Sequence, residues 1–175
     1  MLKSIHISFE VDPPCIDEVL REDYSPVENV LSIAETKARW VAGRNKNKFV
    51  IGADTIVVLE NEIIGKPTDK NDARRILERL SGKRHEVITG VAVLNPEGKC
   101  FPSATISQVK IKPLAAIEIS EYIATGEPMD KAGAYAIQGK GSALVESWSG
   151  SWSNIVGLPV ETVKSLLSMA GYPER

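Results

Sequence analysis

Apolar residues recur every three or four positions between Val27 and Ala42. Val27, Val30, Leu31, Ala34, Ala38, Val41 and Ala42 form one stripe, which predicts a helix packed by one face. Ser25, Pro26 and Glu28 give it a cap, a first-turn proline and a capping box. Lys37 lies beside the stripe, where its ammonium can reach over the edge of a cleft. Two apolar runs follow, Phe49–Ile51 and Ile56–Leu59, and predict a buried strand interrupted at 52–55, then a hairpin through Glu60-Asn61-Glu62. "TDKNDARRILERLSG" reads as a helix capped by Thr68 or Asp69, with Ala73, Ile76, Leu77 and Leu80 inward and Gly82 as its stop. "HEVITGVAVL" and "KCFPSATISQVKIK" read as strands joined by a turn at Asn95-Pro96-Glu97-Gly98. Ser107, Val109 and Ile111 alternate there with Gln108, Lys110 and Lys112, so one face is wet. A helix over about 115–125 ends at Gly126, and a glycine-dense loop, "GEPMDKAGAYAIQGKG", leads to a strand around Ala143-Leu144-Val145. The last helix starts at Pro159, buries Val160, Val163, Leu167 and Ala170, and stops at Gly171.

Helices alternate with strands, but hairpins intervene, which favours a mixed-sheet α/β fold over an all-parallel doubly wound one. Neither a repeat nor a long linker divides the 175 residues, so a single domain over 1–175 is expected. A formal net charge of −2 argues against nucleic-acid binding through a bulk positive field, while leaving room for a local basic pocket. No run approaches the ~20 apolar residues of a membrane span. "MLKSIHISFEV" has no apolar h-region, and Cys15 and Cys100 lack metal-ligand spacing. A cytoplasmic protein is the expectation.

Polar groups sit where packing alone would not choose them. Asp54 lies between the two apolar runs, and a carboxylate there must be hydrogen-bonded, paired with a cation or bound to a metal. Asp17 and Glu18 precede the first helix, Lys66 follows the hairpin, and Asp130, Lys131 and Gln138 occupy the glycine-rich loop. Carboxylates and lysines with little histidine suit a Mg²⁺-assisted attack on a phosphoanhydride, since Mg²⁺ takes oxygen ligands and lysines offset phosphate charge. Plainer readings stand beside this one. Asp54 fits bonding to nearby backbone amides equally well, Lys66 and Lys131 fit solvated loops, and Asp17-Glu18 fit acids near a helix start. His6 and His85 are expected at exposed strand edges, and Trp40, Trp148 and Trp152 in the core or an interface; Trp148 and Trp152 stacking on a base is the weaker alternative. Spacing alone stops at a soluble α/β protein with an anion-and-metal cleft.

Six segments in register, "CIDE", "AETKA", "IGADTIVVLENEIIGKP", "LSGKRHEVITGV", "TGEPMDKAGAYAIQGKG" and "GSWSNIVGLP", resemble the Maf-like nucleotide pyrophosphatases, once called septum formation inhibitor proteins. The resemblance implies a two-lobed mixed α/β fold with a central cleft, similar to inosine triphosphatases. It implies hydrolysis of nucleoside triphosphates to monophosphate and pyrophosphate with a divalent metal, Mg²⁺ or Mn²⁺, in a homodimer. Residue by residue it assigns Asp54 as general base, Glu18 with Asp54 as metal carboxylates, and Lys37, Lys66 and Lys131 as phosphate contacts. Thr55 and Gln138 match positions of base choice, in the pattern of the branch that acts on dTTP and UTP. The family's N-terminal strand and Ser-x-Ser-Pro-Arg-Arg loop find no match after Met1, so the reading frame upstream is expected to encode them. A catalytically weakened, nucleotide-binding regulator of septum formation is the alternative function, and a phosphatase that removes one phosphate at a time ranks third.

Overall fold

The computed structural model describes residues 1–2 and 7–173; His6 lies outside them. Helix α1, Pro26–Arg44, starts as its sequence dictates. Ser25 Oγ accepts the Glu28 N–H, and Glu28 returns a carboxylate to the Ser25 N–H. Strands β1 (Val50–Leu59) and β2 (Glu62–Ile64) join through Glu60 and Asn61, whose φ values of 52° and 67° make the tight turn that suits the twist of a hairpin. Helix α2, Lys70–Leu80, is capped by Asp69, which accepts from the Asn71 and Asp72 amides. Strands β3 (Arg84–Leu94) and β4 (Cys100–Ile111), helix α3 (Ala116–Ala124), strand β5 (Val145–Ser149), and helices α4 (Trp152–Ile155) and α5 (Val160–Met169) complete the order.

The strands form one sheet in the order β2-β1-β3-β4-β5, giving a mixed α/β fold. β1 and β2 pair antiparallel from Val57↔Ile64 to Leu59↔Glu62, and β4 and β5 do so from Gln108↔Ser149 to Ile111↔Val145, with an irregularity at Lys110/Ile111. The chain divides into two compact units, Met1–Thr55 with Thr89–Thr105 and Gly157–Arg175, and Ile56–Ile88 with Ile106–Val156.

In the first unit successive strand residues point to opposite faces. Val91 and Val93 meet Val163, Leu166 and Leu167 of α5 and Ala170, which caps it, whereas Ala92 and Leu94 share a cluster with Ala34 and Ala38 of α1. Asn29, 2% exposed, knits the preceding segment to α1: its Oδ1 accepts the Arg21 N–H at 2.8 Å, and its amide donates to the Arg21 carbonyl at 3.0 Å.

In the second unit Leu59, Leu77, Leu80, Val87, Val109, Ile111 and Ile119 build the core. Asn154 is fully buried and donates to the Val87 carbonyl at 3.0 Å and to Ser107 Oγ at 2.9 Å. No helix among the described residues is long and apolar enough to cross a membrane.

Four local expectations change. β1 runs unbroken through Gly52–Thr55, because a strand's ladder is made by backbone groups and tolerates polar side chains. β5 begins at Val145, since Gly139–Leu144 coil into a 3-10 segment. Trp148 and Trp152, expected in the core or an interface, are 44% and 40% exposed with ring centroids 5.4 Å apart, so the core alternative falls. His85 is 2% exposed rather than at an open edge, because β3 has a strand on each side.

The buried His85 carries a measurable consequence. Its Nε2 lies 2.7 Å from the Tyr135 hydroxyl, and Nδ1 has no partner among the described residues. Burial penalises the imidazolium and pushes the pKa down from 6.5 to about 4. A depressed folded-state value favours the neutral ring, so this contribution is complete above pH 6.5 and is lost as pH falls toward 4. Denaturant unfolding at pH 7 and pH 4.5 should differ by about 2–3 kcal/mol through this group. His85→Gln, which does not titrate, should lack that part of the acid sensitivity.

Candidate active site

Glu18, Lys37 and Asp54 come from three parts of the first unit and meet at one ammonium. Gly52 and Asp54 share a face of β1, two residues apart. A Cβ on Gly52 would lie 2.2 Å from the Ala34 carbonyl oxygen, so only glycine lets α1 settle this close to the strand. That approach brings Lys37, between Ala34 and Ala38, onto Asp54. Glu18 arrives on the segment that Asn29 ties to α1.

Lys37 Nζ lies 2.7 Å from Asp54 Oδ1 and 2.6 Å from Glu18 Oε1. The side chain of Asp54 is 9% exposed and that of Lys37 16%, while Glu18, at 43%, leads out to water. Burial works against the Lys37 ammonium, but hydrogen bonds to Asp54 and Glu18 outweigh it and hold the pKa above the ordinary lysine value. Two carboxylates around one monocation leave a formal charge of −1. That is a hard-oxygen arrangement already adapted to a shared cation, and it fits Mg²⁺ or Mn²⁺. No group of three His, Cys, Asp or Glu residues suited to a metal occurs among the described residues.

Thr55 points to the other face of β1. Its Oγ1 lies 2.9 Å from Thr89 Oγ1 and 3.4 Å from the Gly157 carbonyl, to which it donates. Gly157 has φ 108°, a conformation that side chains resist.

The other candidates belong to the second unit. Lys66 follows β2 and is exposed. Lys131 pairs with Asp130, and its hydrogen bond, ahead of the weaker pull of Lys66, holds the Asp130 carboxyl below its usual range. The Gly133 N–H donates to the Gly65 carbonyl at 3.0 Å, tying the loop that carries Lys131 to the residue before Lys66. Gln138 is exposed on the same loop.

Sequence reasoning passed over two residues here. Thr89 is fully buried beside Thr55, and the signal for it was a hydroxyl within an apolar strand. Glu127, in the quoted "TGEP", accepts from the Tyr122 hydroxyl and from two backbone amides. Only the fold separates it from the neighbouring acids.

A family model described as "Maf-like protein" matches residues 1–170. The chain belongs to the Maf-like protein family. A relative from Dictyoglomus thermophilum, named dTTP/UTP pyrophosphatase, is 51% identical over 174 residues, covering 98% of this chain and 90% of the relative. Relatives with the same name from Geotalea uraniireducens and Symbiobacterium thermophilum are 48% and 43% identical, each covering at least 97% of this chain and at least 88% of the relative. Within the Maf-like chain, the acidic pair and its lysine come from the segments "CIDE", "AETKA" and "GADT".

Proposed function

We propose that this Maf-like chain is a divalent-metal-dependent nucleoside triphosphate pyrophosphatase that acts on dTTP and UTP. The observation that carries the reading is the Lys37 ammonium held within 2.7 Å of both Asp54 and Glu18; the names of the relatives supply the substrate class. When bound, the metal offsets phosphate charge and makes coordinated water more acidic. Glu18 and Asp54 would hold it. Asp54 accepts the proton as water attacks the α-phosphorus, and the bond from that phosphorus to the bridging oxygen breaks. Pyrophosphate leaves on that oxygen, and the nucleoside monophosphate keeps the new one. Lys37, Lys66 and Lys131 offset the triphosphate charge, Lys37 from within the carboxylate pair. Thr55 and Gln138 contribute to base choice. A homodimer and a cytoplasmic location complete the reading, the second resting on the free thiols of Cys15 and Cys100.

Product analysis tests the assignment. With dTTP or UTP and Mg²⁺ or Mn²⁺, equal amounts of monophosphate and pyrophosphate should form, and excess chelator should lower the rate at least a hundredfold. Orthophosphate as the first product, or a rate indifferent to chelator, would overturn it.

A further inference from the structure

Residues 133–141 are anchored on both sides of Gln138. The Gly133 N–H donates to the Gly65 carbonyl at 3.0 Å, and the Tyr135 hydroxyl meets His85 at 2.7 Å. The Ala136 N–H donates to the Tyr122 hydroxyl at 3.1 Å, and that hydroxyl donates to Glu127 Oε1 at 3.0 Å. The Gly141 N–H reaches the same oxygen at 2.9 Å, and the Lys140 N–H reaches Oε2 at 3.0 Å. Ile137 is buried at 5%. Gln138 is exposed between these anchored flanks, with extended backbone at φ −103° and ψ 169°.

The two glycines that follow Gln138, at 139 and 141, are required by this arrangement. A Cβ on Gly139, which sits at φ 68°, would come 2.8 Å from Glu127 Oε2; one on Gly141 would come 2.6 Å from the Tyr122 hydroxyl oxygen. Bare backbone lets one carboxylate gather both amides. Burial alone would raise the Glu127 pKa, yet the hydrogen bonds from Gly141 and Lys140 outweigh it and keep the group ionised.

A glutamine amide carries one acceptor and two donors and can turn over to present either. Turned one way it matches the 4-oxo and N3–H edge of thymine or uracil; turned the other way it matches the 4-amino edge of cytosine. The backbone does not choose between these two faces, but it fixes where the side chain starts and so which atoms of the base the amide can reach. We infer that Glu127 and Tyr122 are positioning residues that hold the 136–141 loop, and with it Gln138, in the shape that selects a 4-oxo pyrimidine base. The inference rests on the proposed role of Gln138 in base choice.

The test measures kcat/KM for dTTP and dCTP in Gln138→Ala, Tyr122→Phe and Glu127→Gln, together with Tm and amide hydrogen exchange. Tyr122→Phe removes the hydroxyl that joins Ala136 to Glu127. Glu127→Gln keeps Oε1 and sets an amide donor against the Lys140 N–H. Both should lower the dTTP:dCTP preference at least tenfold, with the loss in the KM for dTTP rather than in kcat. Exchange at Lys140 and Gly141 should quicken at least tenfold in Glu127→Gln, while Tm moves by a few degrees. A wild-type preference in both clamp variants, alongside a collapsed preference in Gln138→Ala, overturns the positioning role and spares the role of Gln138. An unchanged preference in Gln138→Ala overturns the base-choice reading and this inference with it. Loss of preference accompanied by a uniform rise in exchange across α2 and α3 would mark general loosening, and would also overturn it.

Discussion

Replacing Asp54 by Asn is expected to lower pyrophosphate release from dTTP by about 10²–10⁴-fold, the range for removal of a positioned general base. The substitution nearly preserves shape. An asparagine oxygen can still accept from Lys37 Nζ, which lies 2.7 Å from Asp54 Oδ1, and Glu18 remains as the second partner of that ammonium. What disappears is the negative charge and the carboxylate that accepts the proton of the attacking water. The fold should survive with Tm shifted by only a few degrees, because Lys37 is not left buried without a counter-charge. Steady-state detection of pyrophosphate on protein of verified Tm makes the measurement. Turnover within tenfold of the parent would remove Asp54 from the chemistry, and Glu18 would become the carboxylate to test next.

The second large effect concerns packing. Gly52→Ala and Gly90→Ala should each destabilise the protein by about 3 kcal/mol or more, since overpacking against a rigid neighbour forces the backbone to move. For a chain of this length that corresponds to a fall of roughly 6–12 °C in Tm. On Gly52 the added Cβ would lie 2.2 Å from the Ala34 carbonyl oxygen and 2.8 Å from the Ala38 amide nitrogen. On Gly90 it would lie 2.5 Å from the Val30 carbonyl oxygen and 2.9 Å from the Leu31 nitrogen. These are atoms of the α1 backbone, which no side-chain rotation can move aside. Gly43 supplies the control: it sits on α1 with nothing within 4 Å of its added Cβ, so Gly43→Ala should be neutral or stabilise by about 0.5–1 kcal/mol. Thermal melts of the three variants decide the matter. Equal effects at positions 43, 52 and 90 would mean that helix-to-strand approach is not what these glycines secure. Gly52→Ala should also weaken catalysis, because the distance it alters is the one that sets Lys37 against Asp54.

The local signals were strong where one turn or one hairpin contains all the interacting atoms. Ser25, Pro26 and Glu28 marked the start of α1 because a capping box spans four consecutive residues. Ala73, Ile76, Leu77 and Leu80 were identified as the inward face of α2, and all four are buried, because helical periodicity alone sets which residues share a face. The Asn95–Gly98 turn and the alternation of Ser107, Val109 and Ile111 were legible on the same grounds. The offset at β5 came from the opposite situation. Residues 139–144 lack a regular apolar period, and their conformation follows from amides gathered by Glu127, an acid more than ten residues earlier in the chain.

From sequence alone came the mixed α/β class, the capped helices, the buried setting of Asp54 and the motifs that resemble the Maf-like family. Each depends on residue type and near-neighbour spacing, quantities a linear chain carries in full. Tertiary structure alone decided that Lys37 pairs with both Asp54 and Glu18, that His85 is enclosed against Tyr135, and that Trp148 and Trp152 face water. Those outcomes turn on which distant segments are pressed together, and a charge or ring has no fixed partner until packing brings one within a few ångströms.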